Sequence, residues 1–539
     1  MTPCWSPRRG PTPGGPGGAA GARLAAAALA FALSPALAAA SPLEFVSPRD
    51  PLAAELRVLE LYSQSADSGR FRLPHFSTWP LRRLELMGDA RPAFTGNRVR
   101  DLAFERLERE LERDATAAFA HERARRSTPR LFQRAGEGDE RVELSAGVEG
   151  VFDAERSGGD DRSSWRDGSG LHLRGAAQQG GWLAFAHLAA ARLRGAERFT
   201  DVLVSHSDLA LQTEAAYLAA SAGTRWTAAI GRQRFAWGPG EEGSLLLSRT
   251  AAPLTALWLH ARFTTLRADA FALHATTGPG RGEQLAAHRL EWSPGPGLRV
   301  GLAEAARYRA DGWQGVYLAS VIPFSLAQRL LQQDGDTLGV NRNNVVLAAD
   351  VAWRVADGTR VYAELLLDDL HAKTADMPDK YAWQIGLDGA WTRGFSRVTW
   401  NAEYTWLSRF VYTSFFGRAF TAQDAPLGFP TGPDARRLRT RVTWDPRVEW
   451  QLSGGVTRTW KGENGLTDPF VPGSPVPPVA TLEGSPEVTD EVAGAVRWWP
   501  ASGVDLAATL GWRRTDDAGH VAGAGVRGTF ASLALRLAR

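Results

Sequence analysis

His206 stands between Ser205 and Ser207 with Asp208 beside it, the residue types of a hydrolytic relay. Such a relay needs nucleophile and base to converge on one point, whereas neighbours along an extended strand project to opposite faces, so the run is no triad. The ten histidines are scattered, and no pair has metal-ligand spacing. Asp160-Asp161 and Asp368-Asp369 fall in or beside connectors, where solvation accounts for them. Gly278-Pro279-Gly280-Arg281-Gly282 lacks the Lys-Ser/Thr and the helix of a phosphate loop and reads as a turn. The only cysteine, Cys4, lies in an N-terminal stretch with the pattern of an export signal, so the mature chain is expected to hold no thiol nucleophile and no disulfide. The sequence therefore points away from an enzyme and calls for no cofactor and no metal. The least generic run is Gly231-Arg232-Gln233-Arg234-Phe235-Ala236-Trp237-Gly238-Pro239-Gly240, followed by Ser244-Leu245-Leu246-Leu247-Ser248 and Ala251-Ala252-Pro253-Leu254. A strand ending in Trp-Gly-Pro-Gly cannot continue its ladder. The chain then travels about twenty residues to the next strand pattern, an apolar loop flanked by arginine and suited to folding inward. Arg232 is expected on the same strand face as Arg234, placed to pair with carboxylates inside.

The elements that must carry these residues fall into three parts. Arg8, Arg9 and Arg23 precede an apolar run over 24–33 and two small-residue cleavage patterns, Ala36-Leu37-Ala38 and Ala38-Ala39-Ala40, so residues 1–40 read as a secretory signal. Within 41–130 the spacing predicts helices over 52–62 and 79–87 and a long amphipathic helix over 97–126; these are expected to form a small periplasmic domain, joined onward by Ser127-Thr128-Pro129. From about Asp139 the period becomes two. Val142, Leu144, Ala146 and Val148 alternate with polar or small residues, and the pattern returns at Tyr381, Trp383, Ile385 and Leu387, at Val398, Trp400, Ala402 and Tyr404, and at Val504, Leu506, Ala508 and Leu510. Hydrophobic residues make up 44% of the chain, yet beyond the signal no apolar run reaches the ~20 residues of a spanning helix. Segments of 9–11 alternating residues with tryptophan near their ends instead fit tilted transmembrane strands and their interfacial girdles.

Connector lengths test this independently. Eight short, turn-forming connectors (178–181, 221–224, 264–265, 293–297, 356–358, 392–396, 445–447 and 500–502) alternate with mostly longer ones, including 155–168, 235–256, 309–342, 370–379, 409–436 and 461–487. The chain is thus predicted to be mainly β, one antiparallel transmembrane barrel of about eighteen strands over 131–539 in a bacterial outer membrane, with an inward-folded loop near 235–256. A net charge of +3 is too mild to argue for nucleic acid. The strands around 257–275 and 298–308 are Ala-rich and weakly patterned, and the chain closes on Leu535-Arg536-Leu537-Ala538-Arg539 without a terminal aromatic.

The run from Arg232 and Arg234 through Trp237, Gly238, Pro239 and Gly240 to Ser248 and Pro253 resembles the Wzi family of capsule-assembly proteins, as does the layout of signal, helical periplasmic domain and eighteen-stranded barrel. Thr250 or Ala251 stands where that family usually has asparagine. The resemblance implies a monomeric outer-membrane lectin, set among lipid and lipopolysaccharide, that attaches capsular or exopolysaccharide and does no catalysis. A diffusion porin is the alternative use of so wide a barrel. On the lectin reading the extracellular connectors carry the contacts: Tyr412, Phe415, Phe416, Arg418 and Arg436 in one loop, Trp313, Tyr317 and Arg329 in another, and Arg156, Arg162, Trp165 and Arg166 in a third. Aromatic faces stack on sugar rings, and guanidinium forks pair with the acids of charged glycans.

Overall fold

The computed structural model describes residues 45–46, 52–62, 77–79, 81–82 and 132–135, and most of the chain from 141 onward. Beyond 141 the described residues leave out 158–162, 168–169, 193–201, 204–208, 224, 278–281, 296, 311–312, 314–316, 318–322, 325–342, 370–377, 394–395, 416, 448, 478–479, 502–503 and 539. The expected signal, the expected helix over 97–126, the run around His206, and Phe416 therefore lie outside the described residues.

Alternating sequences over 8 to 17 residues form strands β1 (Arg141–Ser157), β2 (Gly170–Gln179), β3 (Trp182–Arg192), β4 (Leu209–Ala222), β5 (Trp226–Gln233) and β6 (Leu254–Phe263). They continue as β7 (Ala268–Thr276), β8 (Glu283–Gly295), β9 (Leu298–Arg309), β10 (Asn344–Ala356), β11 (Thr359–Asp369) and β12 (Lys380–Arg393). The last six are β13 (Ser396–Leu407), β14 (Ala435–Arg447), β15 (Trp450–Lys461), β16 (Glu487–Ala501), β17 (Val504–Asp516) and β18 (Gly525–Ala538). Each pairs antiparallel with the next, and β18 returns to β1 in a seam running from Gly528 opposite Ser157 to Ala538 opposite Gly147. Eighteen strands close the cylinder, as the alternation and connector lengths predict. The eight predicted turns all join strands at one end, which we call the short-turn end.

Period two sorts side chains onto two surfaces. Along β12, Trp383 and Ile385 are exposed on the outside, while Gln384 and Asp388 are buried on the inside. The same division puts Leu218, Ile230, Leu302, Leu365 and Leu510 outside and His260, Arg289, Glu291, Asp350, Arg360 and Glu403 inside. An apolar exterior around a charged interior is the inverse of a soluble fold and the form a barrel takes in lipid. The indistinct alternation of β6 and β9 has a local cause. Their inner faces carry Leu254, Ala256, Trp258, Ala303 and Ala305, which pack on an apolar cluster inside the barrel, so both faces of these strands are apolar.

The N-terminal pieces enter this interior. Helix α1 (Leu52–Tyr62) forms where helical spacing predicts it. Its Glu60 forms an ion pair with Arg299 of β9 at 3.0 Å and accepts from Arg360 of β11 at 2.6 Å, and Leu61 accepts from the Gly358 N–H in a short turn. The helix expected over 79–87 is corrected where the structure describes it. Thr78–Trp79 pairs as a two-residue strand with Ala236–Trp237, and Leu81–Arg82 pairs with Phe45–Val46. Strand pairing with a distant loop outweighs the local 3.6 spacing there.

Candidate functional site

After Gln233 the chain leaves the wall and crosses the lumen. Arg234, buried, holds the departure point by donating to the Ala251 carbonyl at 2.5 Å and pairing with Glu214 of β4 at 3.3 Å. Arg232, expected to reach a lumen carboxylate, donates its Nε to the Thr213 carbonyl at 3.2 Å. Trp237 is 1% exposed, and its backbone N–H donates to the Leu247 carbonyl at 2.9 Å, folding the loop back on itself. The far end of the loop reaches the opposite wall. Glu364 of β11 accepts the Gly240 and Leu245 N–H groups, one on each oxygen and both at 2.8 Å. Glu403 of β13 accepts the Glu241 N–H at 2.8 Å and the Tyr362 hydroxyl at 2.6 Å. Arg437 of β14 clasps Glu242 with its Nε at 2.8 Å. From below, Arg57 of α1 donates to the Pro239 and Gly240 carbonyls at 3.2 and 2.9 Å.

The glycines of the kink are there for close approach. A Cβ on Gly238, whose φ is +135°, would stand 2.6 Å from a Glu364 oxygen, and one on Gly240 would meet the Gly243 carbonyl at 2.3 Å. Charge is balanced locally at the loop tip. Burial opposes the charge on Glu241, but Arg57, Arg249, Arg439 and Arg441 outweigh it and hold its carboxyl at about 2.

A second loop, 408–434 between β13 and β14, folds onto the first. The Tyr412 hydroxyl donates to the Leu245 carbonyl at 2.6 Å and accepts from the Phe429 N–H at 3.2 Å, and the Ser248 N–H meets the Leu427 carbonyl at 2.7 Å. Ser248 and Pro253 are buried, as are residues 233–240, 243–247 and 251–254, while Glu241, Glu242, Arg249 and Thr250 are half-buried. Leu245, Leu246, Leu247, Tyr412, Phe420, Leu427 and Phe429 form one apolar core with Trp237 and Trp258. Two loops thus build a small hydrophobic core inside a polar cylinder.

These contacts redistribute the residues expected to meet glycan. Tyr412 is fully buried with φ +70°, and Arg418 is buried with its carbonyl accepting from Asn344, so both are corrected from contact residues to supports of the second loop. Phe415 is exposed at the rim. Trp313 is half-buried and stacks on His274 at 5.1 Å. Trp165 lies in a short strand beside β1. Sequence reasoning missed Glu214, Glu364 and Glu403, the carboxylates that hold the loop. Their signal was a glutamate in the inward phase of a spanning strand, where burial demands a partner. Among the described residues no three His, Cys, Asp or Glu side chains are grouped to hold a metal ion.

The family model described as capsule assembly protein Wzi matches residues 138–520. The chain belongs to the Wzi capsule-assembly family. Among solved structures, it is similar to Wzi of Escherichia coli, titled an outer-membrane protein involved in group 1 capsule assembly and a carbohydrate-binding β-barrel. That match has TM-score 0.60 and 15% identity and covers 92% of this chain and 99% of the other. OccAB1 of Acinetobacter baumannii matches with TM-score 0.45 and 10% identity, covering 74% of this chain and 96% of that one. No curated protein matches the sequence. The Wzi fold therefore accounts for nearly the whole chain, as an outer-membrane β-barrel.

Proposed function

We propose that this Wzi-family barrel binds surface polysaccharide and attaches or assembles it at the outer membrane. The observation that carries the reading is the lumen crossed by two interlocked loops in a barrel of the capsule-assembly family. An eighteen-stranded cylinder left open is a channel, but here two long connectors meet across its interior. A diffusion channel fits this less well. On the proposed reading the short-turn end faces the periplasm, with α1 docked there, and the long connectors face outward among lipopolysaccharide. Phe415 at the rim, Trp313 beside His274, and Trp165 and Phe416 offer the stacking faces, and the barrel acts as a monomer without a cofactor or a catalytic step. The match to the Escherichia coli carbohydrate-binding barrel supports this at the level of the fold.

The test is the split of surface polymer between cells and medium, before and after deletion of the gene. Polymer made in normal amount but shed into the medium is the expected result. Polymer that stays cell-bound refutes attachment as the function.

A further inference from the structure

The two loops lean on the walls from β4 to β14, and the opposite side of the lumen has a different chemistry. From β14 to β18 many inward positions are small or polar, among them Thr443, Ser453, Ala495, Ala507, Thr509 and Ala534. Against this wall lies a cavity of about 260 Å3. Arg441, Arg497 and Arg536 line it, together with Gln451, Ser453 and the carboxylates Glu149 and Asp505. Two of its three guanidinium groups have carboxylates of their own. Arg497 pairs with Asp505 at 2.8 Å and Arg536 with Glu149 at 3.3 Å. Arg441 has none. It touches the Ser453 hydroxyl at 3.2 Å, and neither Arg441 nor Arg439, the next inward residue of β14, makes an ion pair among the described residues.

The surroundings deepen this imbalance. Four arginines, Arg57, Arg249, Arg439 and Arg441, share the field of one carboxylate, Glu241, at the loop tip. Glu241 is already engaged by Arg57 at 2.8 Å and Arg249 at 3.6 Å. Glu242 is taken by Arg437, and Glu403 by the Glu241 N–H and the Tyr362 hydroxyl. Among the described residues, no carboxylate on the loop or on the strands beside β14 is left without another partner for the β14 pair. Adjacent uncompensated guanidinium groups in a partly enclosed site repel each other, and the arrangement is stabilised when an anion completes it. A cavity walled by small residues leaves room for that anion.

We propose that the lumen wall beneath the loop tip is an anionic-sugar site. The carboxylate or phosphate of one sugar residue sits in the cavity on Arg441, Arg439 adds its charge from two residues along the same strand outside the lining, and Gln451 and Ser453 meet the sugar's hydroxyls. Capture of the anion stands on the arginine pair and the cavity; only its identity as a sugar rests on the polysaccharide reading. The site lies inside the barrel, apart from the rim aromatics, and makes the protein selective for acidic over neutral polymer.

Purified full-length protein in detergent is titrated calorimetrically with sodium glucuronate, glucose and inorganic phosphate. Glucuronate is expected to bind at least about tenfold more tightly than glucose, with an affinity that falls as salt rises. Losing a hydrogen-bonded charge costs about 1.5–3 kcal/mol, so Arg439→Gln/Arg441→Gln should weaken glucuronate about tenfold or more. Arg441→Lys, which keeps the charge and loses the fork, should fall between and carries the test if the double variant does not fold. Unheated gel migration reports an intact barrel. Undiminished glucuronate binding by a folded variant overturns the site, and binding of phosphate without glucuronate overturns the sugar. Glucuronate binding in a protein whose deletion leaves polymer cell-bound would keep this site and remove only the attachment role.

Discussion

Glu364→Ala is the sharpest perturbation of the loop that crosses the lumen. Glu364 is buried on the inner face of β11, and its two oxygens take the Gly240 and Leu245 N–H groups at 2.8 Å each. Alanine leaves both donors without an acceptor. A buried unsatisfied N–H costs about 1–3 kcal/mol, so the clasp loses about 2–6 kcal/mol, nearer the lower figure if water fills the space of the carboxylate. The barrel keeps its strand pairing, so the loss should be read in the loop. Ser244→Cys places a thiol at a site only 2% exposed, and its labelling by a bulky maleimide reports how often the loop lifts from the wall. A weakening of 2 kcal/mol raises that opening equilibrium about thirtyfold, which sets the minimum expected gain in labelling rate. Single-channel conductance in a planar bilayer should rise alongside. Native labelling and conductance in a folded Glu364→Ala barrel would refute the idea that this carboxylate holds the loop.

Trp237→Ala empties one of the largest buried sites and should cost about 3–5 kcal/mol, seen as lower yield of folded barrel or higher conductance. Tyr412→Phe removes a hydroxyl that bonds both loops, and should loosen them by about 1–3 kcal/mol, measured as faster protease nicking of 408–434. Phe415→Ala touches only the rim; it should leave folding unchanged and lower polymer retention on cells. Glu241 has a folded value of about 2, below the usual 4.5, so its contribution is complete above pH 4.5 and lost as pH falls through 2. Glu241→Gln should therefore loosen the loop at pH 7 by at most about 3 kcal/mol, less for a side chain 22% exposed, and leave it unaffected near pH 2 in the same labelling assay.

The barrel was legible because its determinants are local. Alternation fixes which face of β12 meets lipid, and turn residues such as Asp357-Gly358 fix where strands reverse, without knowledge of any distant partner. The end of β5 was legible for the same reason: Trp-Gly-Pro-Gly breaks a strand on its own. What could not be read was each contact settled across the lumen. Tyr412 looks like a rim aromatic until Leu245 and Phe429 surround it. The run over 79–87 has helical spacing, yet Ala236 pairs with Trp79 and Val46 with Leu81 as strands. β6 and β9 looked weak because the apolar partner of their inner faces is itself a loop far along the chain.

The clasp also fixes an order of events in assembly. Gly240 meets a residue 124 positions later, Glu242 one 195 positions later, and Arg360 reaches back 300 positions to Glu60. Contacts so remote in sequence form last, after the chain entropy between them has been surrendered. The loop after β5 therefore waits, unseated, until β11 to β14 have been laid down. Once β18 joins β1 the wall has no lateral gap, so an N-terminal segment not yet inside can enter only through an end of the cylinder. Maturation of this barrel ends with the filling of its interior, and a molecule halted at closure would be a hollow cylinder with its crossbeam still loose.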